Sequence, residues 1–199
     1  MNTVKSKITY ISALCAGLFL ILTNQTLASE AEGHKLYRAG LYPEGLAVWE
    51  EAARKGDAGA AFRAGVEYFD AKIVKRDVKK AIAYFEISAN GNDPRGLTDL
   101  AAMYDYGNGV EVDRKKAAQL YLQAANLGFP DAMFNIAAML SMGDGIKKDL
   151  IEAYKFYKMA NAQGFAAFAE EALANLRKEM NNADVAEAER RVQAFKPKT

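Results

Sequence analysis

The side chains that could do chemistry in this sequence are few. Beyond residue 28 it holds one histidine, His34, three serines, Ser29, Ser88 and Ser141, and no cysteine. A lone imidazole binds zinc only with several carboxylate co-ligands, and it works as a catalytic base only beside a nucleophile. His34 therefore reads as an ordinary exposed or capping residue. None of the three serines begins an S-x-x-K, the spacing that sets a lysine one helical turn from a serine nucleophile. The loops Gly107–Asp113 and Gly143–Asp149 carry oxygen ligands in the style of a calcium loop (Asp105, Asn108, Glu111, Asp113). The second of them places Met142, Lys147 and Lys148 where a cation would want acids. A turn followed by a helix N-cap explains both loops. Their glycines form no phosphate cradle, since no G-x-x-x-x-G-K-[ST] and no preceding strand exist. No catalytic residue, no metal and no cofactor is expected.

Charge narrows the partners further. The 199 residues contain 26 Lys plus Arg and 25 Asp plus Glu, a net charge of +1, with 51% hydrophobic and 26% charged residues. Those fractions exclude intrinsic disorder. Near-neutrality removes the electrostatic reason to expect nucleic acid, whose binding rests on phosphate neutralisation. The pairs Lys79-Lys80, Lys115-Lys116 and Lys147-Lys148, beside Asp77, Asp113 and Asp149, read as a solvated outer edge. A basic stripe facing an anionic surface is the alternative.

The N-terminus has the form of a secretory signal peptide. Lys5 and Lys7 precede an apolar run from Ile8 to Leu22, and Thr26-Leu27-Ala28 offers a small-residue cleavage site before Ser29. A spanning helix wants about 20 apolar residues, so cleavage after Ala28 is expected and a retained anchor is the alternative. Cys15 follows Leu14 rather than a small residue, which argues against lipid attachment. Removing residues 1–28 leaves 24 basic and 25 acidic residues, a net charge of −1. Export without disulfides fits a bacterial periplasm, with secretion beyond it the alternative.

The elements that must position these side chains follow from an internal repeat. A shift of 36 residues overlays the chain on itself: Asp77, Asp113 and Asp149 coincide, as do Ala81, Ala117 and Ala153, and Phe85, Tyr121 and Tyr157. Trp49 falls one step before Phe85. Gly56, Gly128 and Gly164 align with Asn92, residue types that accept the left-handed conformation at a helix end. Within a unit, Leu97, Leu100, Ala101 and Tyr104 form the stripe of a helix with one buried face. Gly107 and Gly109 break it, and Asp113 is placed to cap a second helix. In the first unit the spacing predicts helices near 58–69 and 77–90. A charged helix over 182–195, with Val185, Ala188, Val192 and Phe195 on its apolar face, is expected to cover the open end. One helical pair cannot cover its own apolar face, so the units must stack. The chain divides into a signal peptide (1–28), N-terminal capping helices (29–56), repeats over 57–92, 93–128 and 129–164, and C-terminal capping helices (165–199).

Gly96, Leu100, Ala101, Tyr104, Gly107, Gly109, Val110, Asp113, Lys116, Ala117 and Tyr121 together closely resemble the Sel1-like repeat, a relative of the tetratricopeptide repeat. Ile136, Ala137, Leu140, Gly143, Gly145, Ile146, Asp149 and Ala153 repeat the pattern. The 57–92 unit is degenerate, with Ala71-Lys72-Ile73 in place of the G-x-G turn, while Val74, Asp77, Lys80 and Ala81 are kept. The resemblance implies an all-α, right-handed α-solenoid of helix-turn-helix repeats that works in protein–protein interaction or complex assembly.

By the geometry of that family the first helix of each unit lines the inner groove. The expected inner face is Phe62, Val66, Phe69 and Asp70, then Arg95, Thr98, Asp105 and Tyr106, then Asp131, Phe134, Ser141 and Met142, with Glu170, Arg177 and Lys178 from the cap. His34 falls in the row of Asp70, Tyr106 and Met142. Phe62, Phe69, Tyr106, Phe134 and Met142 would anchor a partner and Arg95, Asp105 and Asp131 orient it. The function this implies is a periplasmic adaptor that binds a protein or peptide, regulating a membrane signalling or assembly system. An immunity protein against an effector delivered to the periplasm is the alternative. A β-lactamase-like hydrolase, a role attributed to some cysteine-rich members, stands third, because the nucleophile motif and the cysteine pairs are absent. No stable membrane insertion is expected after cleavage.

Overall fold

The computed structural model describes residues 29–198, and the expected signal peptide, 1–28, lies outside the described residues. Ten helices and no strand occur among them. The described part of α1 covers 29–38, followed by α2 (Tyr42–Arg54), α3 (Ala58–Asp70), α4 (Val78–Asn90), α5 (Pro94–Tyr106), α6 (Arg114–Asn126), α7 (Pro130–Met142) and α8 (Leu150–Ala160). A kink at Asn161–Phe165, where Gly164 takes a φ of 115°, leads into α9 (Ala166–Glu179), and α10 (Asn182–Ala194) closes the array. From α2 to α9 each helix packs on its neighbours in the chain, α10 packs on α8, and the first helices α3, α5 and α7 touch in a row. This is the stacked helix-turn-helix solenoid that the 36-residue period implies.

Every repeat is closed by the same local chemistry. The carboxylates of Asp77, Asp113 and Asp149 accept from the amides of Lys80, Lys116 and Glu152 at 2.9–3.0 Å, satisfying donors that a helix start leaves orphaned. The amides of the same three aspartates donate to the carbonyls of Tyr68, Tyr104 and Leu140 at 2.9–3.0 Å and so cinch the loop. At the other end of that loop the first helix stops in a left-handed residue: Gly107 (φ 70°), Gly143 (φ 78°) and, in the degenerate unit, Ala71 (φ 58°). The backbone turn therefore survives the loss of the G-x-G motif, at the cost of placing a Cβ where glycine is preferred.

The core repeats as well. Trp49, Phe85, Tyr121 and Tyr157 occupy one column and are 1–6% exposed, while Ala81, Ala117 and Ala153 are fully buried where helices cross. Small residues let the axes approach and the aromatic fills the space beside them. At the C-terminal end α10 packs on α8. Tyr154 donates to Glu189 at 3.0 Å, Arg191 donates to Glu152 at 2.7 Å, and Ala188 is fully buried. The tail then runs back to α6, where the Lys198 amide donates to the Asn126 carbonyl.

The N-terminal cap departs from the 36-residue register. Three residues, 39–41, join α1 to α2, where seven join the paired helices of each later unit (71–77, 107–113, 143–149). Aligned by their helix ends, α1 is four residues, about one turn, out of step. His34 is therefore level with Val66 and not with Asp70, which corrects the row expected for it. Its ring stands edge-on to Trp49 at 5.3 Å, and burial followed by the charge of Arg63 lowers its pKa.

Candidate functional site

The face made by the first helices consists of rows one repeat apart: Phe62, Thr98 and Phe134; Arg63, Asp99 and Asn135; Val66, Ala102 and Ala138; Asp70, Tyr106 and Met142. Three zones along this face differ in what they leave open to a partner.

At the N-terminal end the groups are already paired. The Phe62 ring lies 6.3 Å from Phe85, with the guanidinium carbons of Arg95 and Arg63 at 4.6 and 5.5 Å from its centroid. Arg95 donates to Asp93 and, at 3.4 Å, to Glu30, which also accepts from Arg63 at 3.4 Å. Glu30 comes into this row because α1 is displaced by a turn, placing it level with Phe62.

The middle zone is open. Val66, Phe69, Asp70, Phe85, Asp99, Ala102, Met103 and Asn108 enclose a pit of about 350 Å³ between α3 and α5. Asp70 at its rim pairs with Lys72 at 2.9 Å, and Arg76 covers Phe69 at 4.9 Å. Asp99 has no hydrogen bond or ion pair among the described residues. Burial, reinforced by the charges of Asp70, Asp131 and Asp93, pushes its carboxyl up to about 6. Tyr106 and Met142, at the ends of α5 and α7, are 69% and 68% exposed, the most open large apolar side chains described.

The third zone serves the fold more than the surface. Phe134 stacks on Phe165 at 5.5 Å and meets Tyr157 edge-on at 5.3 Å. Asp131 stays exposed in the first turn of α7.

Several expected groove residues are committed elsewhere. Thr98 is 7% exposed and its hydroxyl donates to the Pro94 carbonyl at 2.7 Å, so it belongs to the helix. Asp105 accepts from Arg114, which also grips Asp144, tying one repeat to the next. Ser141 donates to the Ala138 carbonyl at 2.8 Å. Arg177 reaches the Tyr154 hydroxyl on α8 at 2.7 Å and turns away from the first-helix face. Sequence reasoning missed Arg63, Asp99 and Asn135, a polar row one position after Phe62, Thr98 and Phe134. Their shared 36-residue spacing was the available signal.

Two serines can be placed as candidate nucleophiles. Ser88 is fully buried, its oxygen without a partner and close against Gly96, and Ser141 faces a backbone carbonyl. No group of three His, Asp or Glu able to hold a metal occurs among the described residues. No described helix is long and apolar enough to cross a membrane.

Repeated helical pairs with a G-x-G turn, an aspartate cap and an alanine crossing define a protein of the Sel1 repeat class. The Sel1 repeat model matches residues 58–93, 94–129 and 130–165, more than half of the chain, and the protein belongs to that family. The crystal structure of a Sel1 repeat protein from Oxalobacter formigenes is 30% identical (TM-score 0.59), covering 64% of this chain and 95% of that one. A protective antigen of uropathogenic Escherichia coli with the same repeat fold is 17% identical (TM-score 0.52), covering 85% of this chain and 45% of that one. That likeness concerns the fold alone. No curated protein matches the sequence. Sel1 repeats generally serve as protein–protein interaction modules.

Proposed function

We propose that this protein is an exported adaptor that binds a protein partner on its first-helix face, working in the periplasm on a membrane signalling or assembly system. The observation that supports it most is the exposure of Tyr106 and Met142, 36 residues apart on successive first helices. Large apolar side chains left open at matched positions suit the anchors of an interface. The signal-like N-terminus supports export.

The test is site-specific photo-crosslinking in the source cells, with a benzophenone side chain placed at position 106 or 142 of the full chain. Positions 86 and 115, on second helices, serve as controls. One shared crosslinked protein from 106 and 142, absent from the controls, is the expected result. Crosslinks from the second-helix positions alone, or none from 106 and 142, would overturn the reading.

A further inference from the structure

On the first-helix face the Asp99 carboxylate is left uncompensated. Glu30, Arg63, Arg95 and Asp93 satisfy one another at its N-terminal end, and Asp105, Arg114 and Asp144 do so between repeats. Asp99 does not share in either set. It stands in the pit between α3 and α5, walled by Val66, Phe69 and Met103, with Asp70 on the rim. The acids facing it are Asp70 on α3, Asp131 on α7 and Asp93 before α5. The basic groups of the neighbouring turns, Arg63 and Arg95, are held by Glu30 and Asp93.

A half-buried carboxylate that lacks a partner is costly in isolation. An apolar-walled pit that holds a carboxylate matches a long aliphatic stem that ends in a cation.

We propose that the Asp99 pit is a receptor for one lysine or arginine side chain of the bound partner, which the Asp99 carboxylate holds by a charge-assisted hydrogen bond while Val66, Phe69 and Met103 pack its stem. The proposal rests on the reading of this face as the binding surface and specifies its partner: a segment that presents a basic residue with apolar neighbours for Tyr106 and Met142. A carboxylate raised by its surroundings favours such a ligand, because an incoming cation stabilises the ionised form.

The test uses the exported protein, labelled for NMR, titrated with N-acetyl-arginine amide. N-acetyl-norleucine amide supplies a stem without charge and N-acetyl-glutamate amide the opposite charge. Saturable shifts at the amides of Val66, Phe69, Asp70, Asp99, Ala102 and Met103 are expected with the arginine compound and not with the other two. Asp99→Asn is expected to weaken binding by about tenfold or more, the loss of one charge-assisted hydrogen bond. Its amide spectrum away from the pit should be unchanged, which separates lost binding from lost fold.

Equal shifts with the norleucine compound, equal affinity in Asp99→Asn, or shifts confined to the Arg63 end would overturn the proposal. The two readings fail separately. Crosslinks from 106 and 142 without arginine-amide binding would keep the interface and remove the pit. Arginine-amide binding without those crosslinks would keep the pit and remove the interface.

Discussion

The Glu30 carboxylate lies 3.4 Å from the Arg95 guanidinium, 65 residues further along the chain, directly beside the Phe62 ring. Through this contact and a second at 3.4 Å to Arg63, α1 is clamped onto the first two repeats. Replacing Glu30 by Gln should loosen α1 in particular. Partly exposed ion pairs contribute about 1 kcal/mol at most, so the global unfolding midpoint should move little. Hydrogen exchange should accelerate over 29–38 and remain unchanged in α7 and α8. Unchanged exchange in α1 would show that the Trp49 and Tyr37 packing suffices to hold it.

The degenerate turn makes a stability prediction. Ala71 takes a left-handed φ of 58° where the later repeats use Gly107 and Gly143. Ala71→Gly relieves a Cβ penalty of about 1–2 kcal/mol and adds unfolded-chain entropy that offsets part of it. The net expectation is a gain of about 0.5–1 kcal/mol in chemical denaturation. Gly107→Ala should have the opposite sign, aggravated by a Cβ only 2.9 Å from Val112 Cγ2. A loss on Ala71→Gly would mean that the alanine side chain packs usefully.

Asp99 should leave a signature in the pH dependence of stability. Its folded pKa, about 6, lies above the value of 3.8 usual for an unfolded aspartate. Between the two, the native state binds more protons than the unfolded state, so this group lowers stability as pH rises from about 4 to about 7. Asp99→Asn removes that slope. The variant should be more stable than the parent at pH 7, by roughly 1–3 kcal/mol, and the difference should vanish towards pH 4. Denaturant titrations of both proteins across that range measure it. A constant difference, or one that grows towards acid, would contradict the unpaired, half-buried state of Asp99.

The N-terminal expectation has a direct check. If the segment before Ser29 is removed at Ala28, intact mass and N-terminal sequencing of protein isolated from the cell envelope should give a chain that begins at Ser29. A chain beginning at Met1 and fractionating with membranes would instead indicate a retained anchor.

Most of the fold was legible in the 36-residue spacing. The stripe of Leu97, Leu100, Ala101 and Tyr104 lies on one helix, Pro94–Tyr106, and the expected 58–69 and 77–90 appear as Ala58–Asp70 and Val78–Asn90. The aspartate caps at 77, 113 and 149 were equally plain. Such features depend on residues close in sequence, whose types decide turn, cap and buried stripe locally. The register failed at α1, because a three-residue turn replaces a seven-residue loop and sequence alignment cannot see which helix face the shorter connection rotates inward.

The binding face was legible as a set of helices and only partly as a set of side chains. Tyr106 and Met142 are open as their row implied, whereas Asp70, Thr98, Asp105 and Phe134 spend their polar or aromatic groups on intramolecular partners. Asp99 emerged instead from the neighbouring row. Periodicity assigns each residue to a helix face, since that depends only on 3.6 residues per turn. Which charges remain unpaired depends on distances between helices: Arg95 is neutralised by Glu30 from a cap outside the repeats, while no cation reaches Asp99. Those distances arise from the packing of small and aromatic residues across the whole stack, and they exist only once it has formed.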